Sequence, residues 1–150
     1  SNGQGESGEE SEETAFCIDE KVIEGIFASP LNKGYRNKME YSFGDMEKGG
    51  ELTLGLHRRG SRFDVLNADE CILVHEDFNK IVGMIRNFFV EKKTPYFHKM
   101  DGEGYLRHLV LRRSEATGEI LVNLVTTSAM DEDVEAELLQ EFTNIIHSLG

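Results

Sequence analysis

Hydrophobic and polar positions alternate one by one through Tyr35-Arg36-Asn37-Lys38-Met39-Glu40-Tyr41-Ser42-Phe43-Gly44. Tyr35, Met39, Tyr41 and Phe43 fall on the odd positions, Arg36, Lys38, Glu40 and Ser42 on the even ones. A period of two predicts a strand with one buried and one wet face. The wet face opens on two cations, Arg36 and Lys38, with the amide Asn37 between them. Leu52, Leu54 and Leu56 alternate with Thr53, Gly55 and His57 and predict a second strand beyond a Gly49-Gly50 turn. Phe63 and Val65, alternating with Arg62 and Asp64, predict a short third strand after the cationic turn Arg58-Arg59-Gly60-Ser61. An edge strand near 21–28, carrying Val22, Ile23, Ile26 and Phe27 and ending before Pro30, is expected ahead of them.

The period then changes. Between His75 and Lys92, residues Phe78, Ile81, Val82, Ile85, Phe88 and Phe89 recur at helical spacing. Glu76 and Asp77 in the first turn and Lys92-Lys93 at the end suit the helix dipole. The scheme repeats with strands over Tyr105–Arg113 and Glu119–Thr127 around an Ala116-Thr117-Gly118 turn. The segment from Ile120 to Val125 is apolar on both faces, as a central strand would be. A second helix follows, with Val134, Leu138, Phe142, Ile145, Ile146 and Leu149 on one face and Ser128 or Asp131 as its cap. Strands then helix, twice over, predict an α+β two-layer sandwich: a mainly antiparallel sheet of five to six strands with two helices on one face.

Composition changes this picture at the ends. Residues 1–14 are Gly, Ser and Glu with almost nothing apolar; an acidic tail over 1–17 is expected to be disordered, and 18–150 is expected to be the folded domain. The net charge of −12 argues against a nucleic-acid partner until its distribution is read. All 16 basic residues lie in 21–113, against 13 acids there, so the middle is +3 while both ends are strongly negative. No apolar run is long enough to span a bilayer and no signal peptide opens the sequence, so no membrane partner is expected. Two cysteines, Cys17 and Cys71, make no disulfide framework, and a cytoplasmic location is expected.

Candidate chemistry is sparse. His57, His75, His98, His108 and His147 show no metal-ligand spacing, and neither a nucleophile elbow nor a glycine-rich strand-to-helix loop occurs. Cys71 follows Asp69-Glu70, an unfavourable place for a thiolate. These features point to a binding module. Arginines sit better: Arg36, Arg58, Arg59, Arg62, Arg107, Arg112 and Arg113, with Lys38, cluster on strands and a hairpin turn, and a guanidinium fork suits phosphate. Tyr35, Tyr41, Phe63, Tyr96 and Tyr105 are interleaved, and any that is exposed can stack a base. The bland alternative is a solvated set of arginines over an aromatic core.

The series Tyr35–Gly44, Leu54-Gly55-Leu56-His57-Arg58-Arg59-Gly60, Asp64-Val65 up to Asp69-Glu70-Cys71, Leu106–Val110 and Thr117–Val122 resembles the central domain of the TrmA/RumA-type RNA methyltransferases. The resemblance runs over roughly residues 22–130. It implies a domain that helps to hold ribosomal or transfer RNA for 5-methyluridine formation; together with the charge segregation it makes Arg36, Asn37, Lys38, Arg58, Arg59, Arg107 and Arg112 the expected RNA contacts. S-adenosylmethionine and the nucleophilic cysteine would belong to a catalytic domain outside these residues, so flanking domains are the other expected partners and the chain alone is expected to be inactive. Many members hold a four-iron four-sulfur cluster, and Cys71 matches the position of its fourth ligand; the C-x5-C-G-G-C run of the other three is missing here. The alternative is a non-enzymatic scaffold that meets protein through its acidic helix and apolar edges.

Overall fold

In the computed structural model, residues 19–149 are described, without the side chain of Glu20. The expected acidic tail and Cys17 lie outside them. Two units are distinguished, one up to Pro30 and one from Leu31 onward.

In the first unit, Glu20–Val22 form a single 3-10 turn, with the Asp19 carboxylate accepting from the Lys21 amide at 3.0 Å. The strand expected near 21–28 does not form. Its apolar residues come in adjacent pairs rather than alternating, and Gly25 has φ 150°, outside strand geometry.

The second unit contains five strands and two helices: β1 Lys38–Asp45, β2 Leu52–His57, β3 Val65–Asn67, α1 Glu76–Glu91, β4 Leu106–Arg113, β5 Ile120–Thr126 and α2 Glu132–His147. The sheet is antiparallel throughout, in the order β3-β2-β1-β4-β5. This is the expected α+β sandwich. Met39, Tyr41 and Phe43 of β1, Leu54 of β2 and Leu109 and Leu111 of β4 face the helices. Against them α1 buries Phe78, Ile81, Val82, Ile85, Phe88 and Phe89, and α2 buries Leu138 and Phe142.

Phe89 is the hub of the packing. Its ring meets Phe43 edge-on at 5.5 Å and Phe142 stacked at 5.8 Å, so it joins the sheet to both helices. Asp131 caps α2 through the Asp133 amide at 3.1 Å, and an ion pair of Lys92 with Glu141 links the helices. The Tyr105 hydroxyl donates to Glu135 at 2.6 Å. Burial, and then this bond to a carboxylate, push the hydroxyl up to about 12.

Three expectations are corrected. β5 is an edge strand, not a central one; Ile120, Val122 and Leu124 pack against the core, whereas Leu121 on its other face stays exposed. β3 begins at Val65, because the Ser61 hydroxyl accepts from the Phe63 and Asp64 amides and curls 61–64 into a turn. Tyr35 is 53% exposed rather than in the core. The stretch before Lys38 leaves the β1 ladder: Gly34 and Arg36 amides donate to the Ile72 and Leu73 carbonyls instead.

The β2–β3 hairpin does not lie flat. A Cβ on Gly55 would stand 1.9 Å from the Leu66 carbonyl oxygen, the Thr53 hydroxyl donates to the Val65 carbonyl at 2.9 Å, and Asp64 bridges Asp45. Val65, though only 1% exposed, lies outside the main core. It packs on Gly44, where a Cβ would meet its side chain at 2.6 Å. The hairpin therefore bends back over the face of the sheet that the helices leave open.

Candidate nucleic-acid interface

The open face is set by the register between β1 and β4. Lys38 stands opposite Arg112, Glu40 opposite Val110 and Ser42 opposite His108. β5 adds Leu121, Asn123 and Val125 beside Arg112, Val110 and His108. Like charges directly opposite each other on a sheet repel. Lys38 and Arg112 form such a pair, and among the described residues neither side chain has an acidic partner. An uncompensated cationic pair on a free sheet face favours an anionic ligand.

Of the expected site residues, Lys38 and Arg112 come together, and Asn37 adjoins them, its carbonyl accepting from the Arg113 amide at 2.8 Å. Arg36 lies outside the β1 ladder: its amide donates to the Leu73 carbonyl at 2.9 Å and its backbone bridges Val74. Arg107 sits five residues along β4 from Arg112, roughly 17 Å away at strand rise. Its guanidinium lies 4.7 Å from the Phe97 ring centroid. Arg58 and Arg59 ride on the folded-back hairpin, where Arg58 pairs with Asp64 at 3.3 Å. The cations thus fall into two groups, one at the Lys38 end and one toward the Gly44–Asp45 end. Of the aromatic candidates, Tyr41 and Tyr105 are buried and cannot stack a base, whereas Tyr35 and Phe63 are exposed.

Sequence reasoning makes His108 a surface residue rather than a site candidate, and the β1–β4 register, which sets it opposite Ser42, brings it to the open face. The His108 Nδ1 lies 3.4 Å from the Ser42 hydroxyl and 3.8 Å from Glu40. Burial pushes the imidazole below the usual histidine range; Glu40 pulls it up, while Arg107, Lys99 and His57 lower it further. As pH falls below about 6.5 the unfolded chain takes up this proton first, so the contribution is intact above that value and lost as pH drops through the folded pKa. The urea midpoint should therefore fall further between about pH 7.5 and about pH 5.5 in the wild type than in His108→Asn. Equal falls would show that the imidazole titrates alike folded and unfolded.

Cys71 is a free, half-buried thiol. Its loop is tied to α1: the Asn79 side chain accepts from the Cys71 amide and donates to its carbonyl, both at 3.1 Å, and Arg86 pairs with Asp69 at 2.6 Å. A four-iron cluster held by cysteine takes four thiolates. The described residues offer one, and no group of three or more His, Cys, Asp or Glu among them is placed to hold a metal ion. They do not by themselves fit that group. Among the described residues, too, no helix is long and apolar enough to cross a membrane.

No protein-family model matches the chain. An uncharacterized RNA methyltransferase of Clostridium tetani is 51% identical over 125 residues, which are 83% of this chain and 26% of that protein. Another, from Caldanaerobacter subterraneus subsp. tengcongensis, is 47% identical over 106 residues, 71% of this chain and 23% of the relative. Among solved structures, the Pyrococcus abyssi tRNA (uracil-54, C5)-methyltransferase in complex with S-adenosyl-L-homocysteine superposes with a TM-score of 0.56 at 26% identity, over 70% of this chain and 24% of that one. The chain belongs to the TrmA/RumA-type family of RNA methyltransferases. It spans about a quarter of the length of these relatives. Within that family, the residues described here form an antiparallel sheet with one helical face and one open, partly cationic face.

Proposed function

We propose that this domain holds and positions RNA, transfer or ribosomal, for a uracil-5 methylation carried out by a catalytic domain of the same polypeptide with S-adenosylmethionine as methyl donor. Kinship with the RNA methyltransferases and the S-adenosyl-L-homocysteine bound by the structural neighbour support the chemistry. The observation that carries the domain's own role is the uncompensated Lys38–Arg112 pair on the open face. Arg58, Arg59 and Arg107 extend the surface at its other end. The test is fluorescence anisotropy of a short single-stranded RNA across a salt series. The double reversal Lys38→Glu with Arg112→Glu should weaken binding at least tenfold and flatten the log–log salt slope by roughly 0.7 or more, the share of at least one phosphate on a single strand. An unchanged affinity and slope would remove this face from the RNA contact.

A second reading, a scaffold that meets protein, is favoured by β5. Its seven residues carry no charge, the usual guard of a free edge, and Leu121 is exposed. Binding to a separately produced catalytic domain in preference to RNA would support it.

A further inference from the structure

A shallow hollow of about 280 Å³ is lined by Asn37, Lys38, Arg112 and Arg113. These are two pairs of consecutive residues, Asn37-Lys38 at the start of β1 and Arg112-Arg113 at the end of β4, where the ladder of the two strands ends. Consecutive strand residues point to opposite faces. A ligand held by both members of each pair therefore sits at the rim of the sheet, where the two faces meet, and not on the open face. The chemistry of the rim is one-sided: an amide, an ammonium and two guanidiniums. The Arg113 side chain is 21% exposed, and it pairs with Glu115 at 3.5 Å, a carboxylate itself largely in solvent. The Arg113 Nε is buried with no hydrogen-bond partner. A buried N–H of a charged group without an acceptor is costly, and a bound oxyanion supplies the acceptor.

We infer that this rim is a discrete phosphate site, so that an RNA strand crosses the end of the sheet at Asn37–Lys38 and Arg112–Arg113 rather than lying along the strands. The inference rests on the RNA-holding role proposed above and adds a path for the chain. Glu40, Val110 and Asn123, the next row of the open face, would then lie off the RNA, in keeping with a carboxylate there that would repel it.

The experiment is nuclear magnetic resonance of side-chain N–H groups on the whole chain, titrated first with inorganic phosphate and then with a short RNA. Phosphate should shift the Arg112 and Arg113 Nε–H and Asn37 amide signals together, and RNA should compete for them. In parallel, Arg113→Gln, and the exposed Lys38→Gln as a variant with no folding risk, should each reduce the RNA salt slope by roughly 0.7, one phosphate's share, while Asn123→Asp leaves it unchanged. If phosphate leaves the rim signals in place, or Asn123→Asp costs as much as the rim variants, the rim site is wrong although the domain still holds RNA on its face. If no variant of the rim or the face changes RNA binding, the site and the RNA-holding role fall together.

Discussion

Phe89→Ala is expected to lower folding stability by about 3–5 kcal/mol, measured as the shift in urea midpoint at constant slope. The side chain is fully buried. It touches Phe43 at 5.5 Å, Phe88 at 5.0 Å and Phe142 at 5.8 Å between ring centroids. Two costs add: the transfer of the ring from the core, and a cavity that three rings from three elements cannot close together. Phe43 is fixed by the β1–β2 ladder, where it stands opposite Leu54, and Phe142 is held through α2. Only Phe88, 7% exposed at the helix surface, is placed to relax inward. A loss below about 1.5 kcal/mol would mean that α2 collapses onto the gap, and hence that α2 is only loosely docked.

Most of this packing was legible in the sequence because it depends on period alone. The spacing of Phe78, Ile81, Val82, Ile85, Phe88 and Phe89 defines a helical stripe whatever it packs against, and all six are buried as expected. Met39, Tyr41 and Phe43 likewise follow from alternation. What failed needed information from distant residues. Tyr35 keeps the alternating parity but leaves the ladder because the backbone of 34–36 is claimed by Ile72 and Leu73, some 37 positions away. β5 looked central because apolar content does not say how many neighbours a strand has. The cationic residues were visible as a set, yet their division was not. Lys38 and Arg112 share one end of the sheet through a register that no local pattern encodes. Arg58 and Arg59 are carried elsewhere by a hairpin bend that a lone glycine permits. Arg113 was visible as one of the clustered arginines, but its place beside Asn37 at the strand end needed the hollow to be in view.

That bend carries the second large effect. Gly55→Ala is expected to destabilise the domain by about 3 kcal/mol, because overpacking here meets backbone rather than a flexible side chain. The added Cβ would stand 1.9 Å from the Leu66 carbonyl oxygen and 2.8 Å from the Ala68 nitrogen. Neither atom can rotate away, so β2 must straighten or β3 must lift. Lifting β3 exposes Val65 and breaks the bond from the Thr53 hydroxyl to the Val65 carbonyl, leaving a buried hydroxyl without a partner. A urea midpoint within about 0.5 kcal/mol of wild type would show that the bend is not held by this contact. The same variant separates the two cationic groups. The Lys38–Arg112 pair stands at the far end of the β1–β4 ladder from Ser42, the residue opposite Gly55, so its share of RNA affinity should survive. The share of Arg58 and Arg59 depends on the hairpin staying folded over the open face, and should be lost with it. A variant that folds, keeps the phosphate-induced shifts at Arg112 and Arg113, and still shows a flatter RNA salt slope would place the hairpin arginines on the RNA as a second, independent contact. A slope equal to that of the wild type would leave the rim as the domain's whole electrostatic grip.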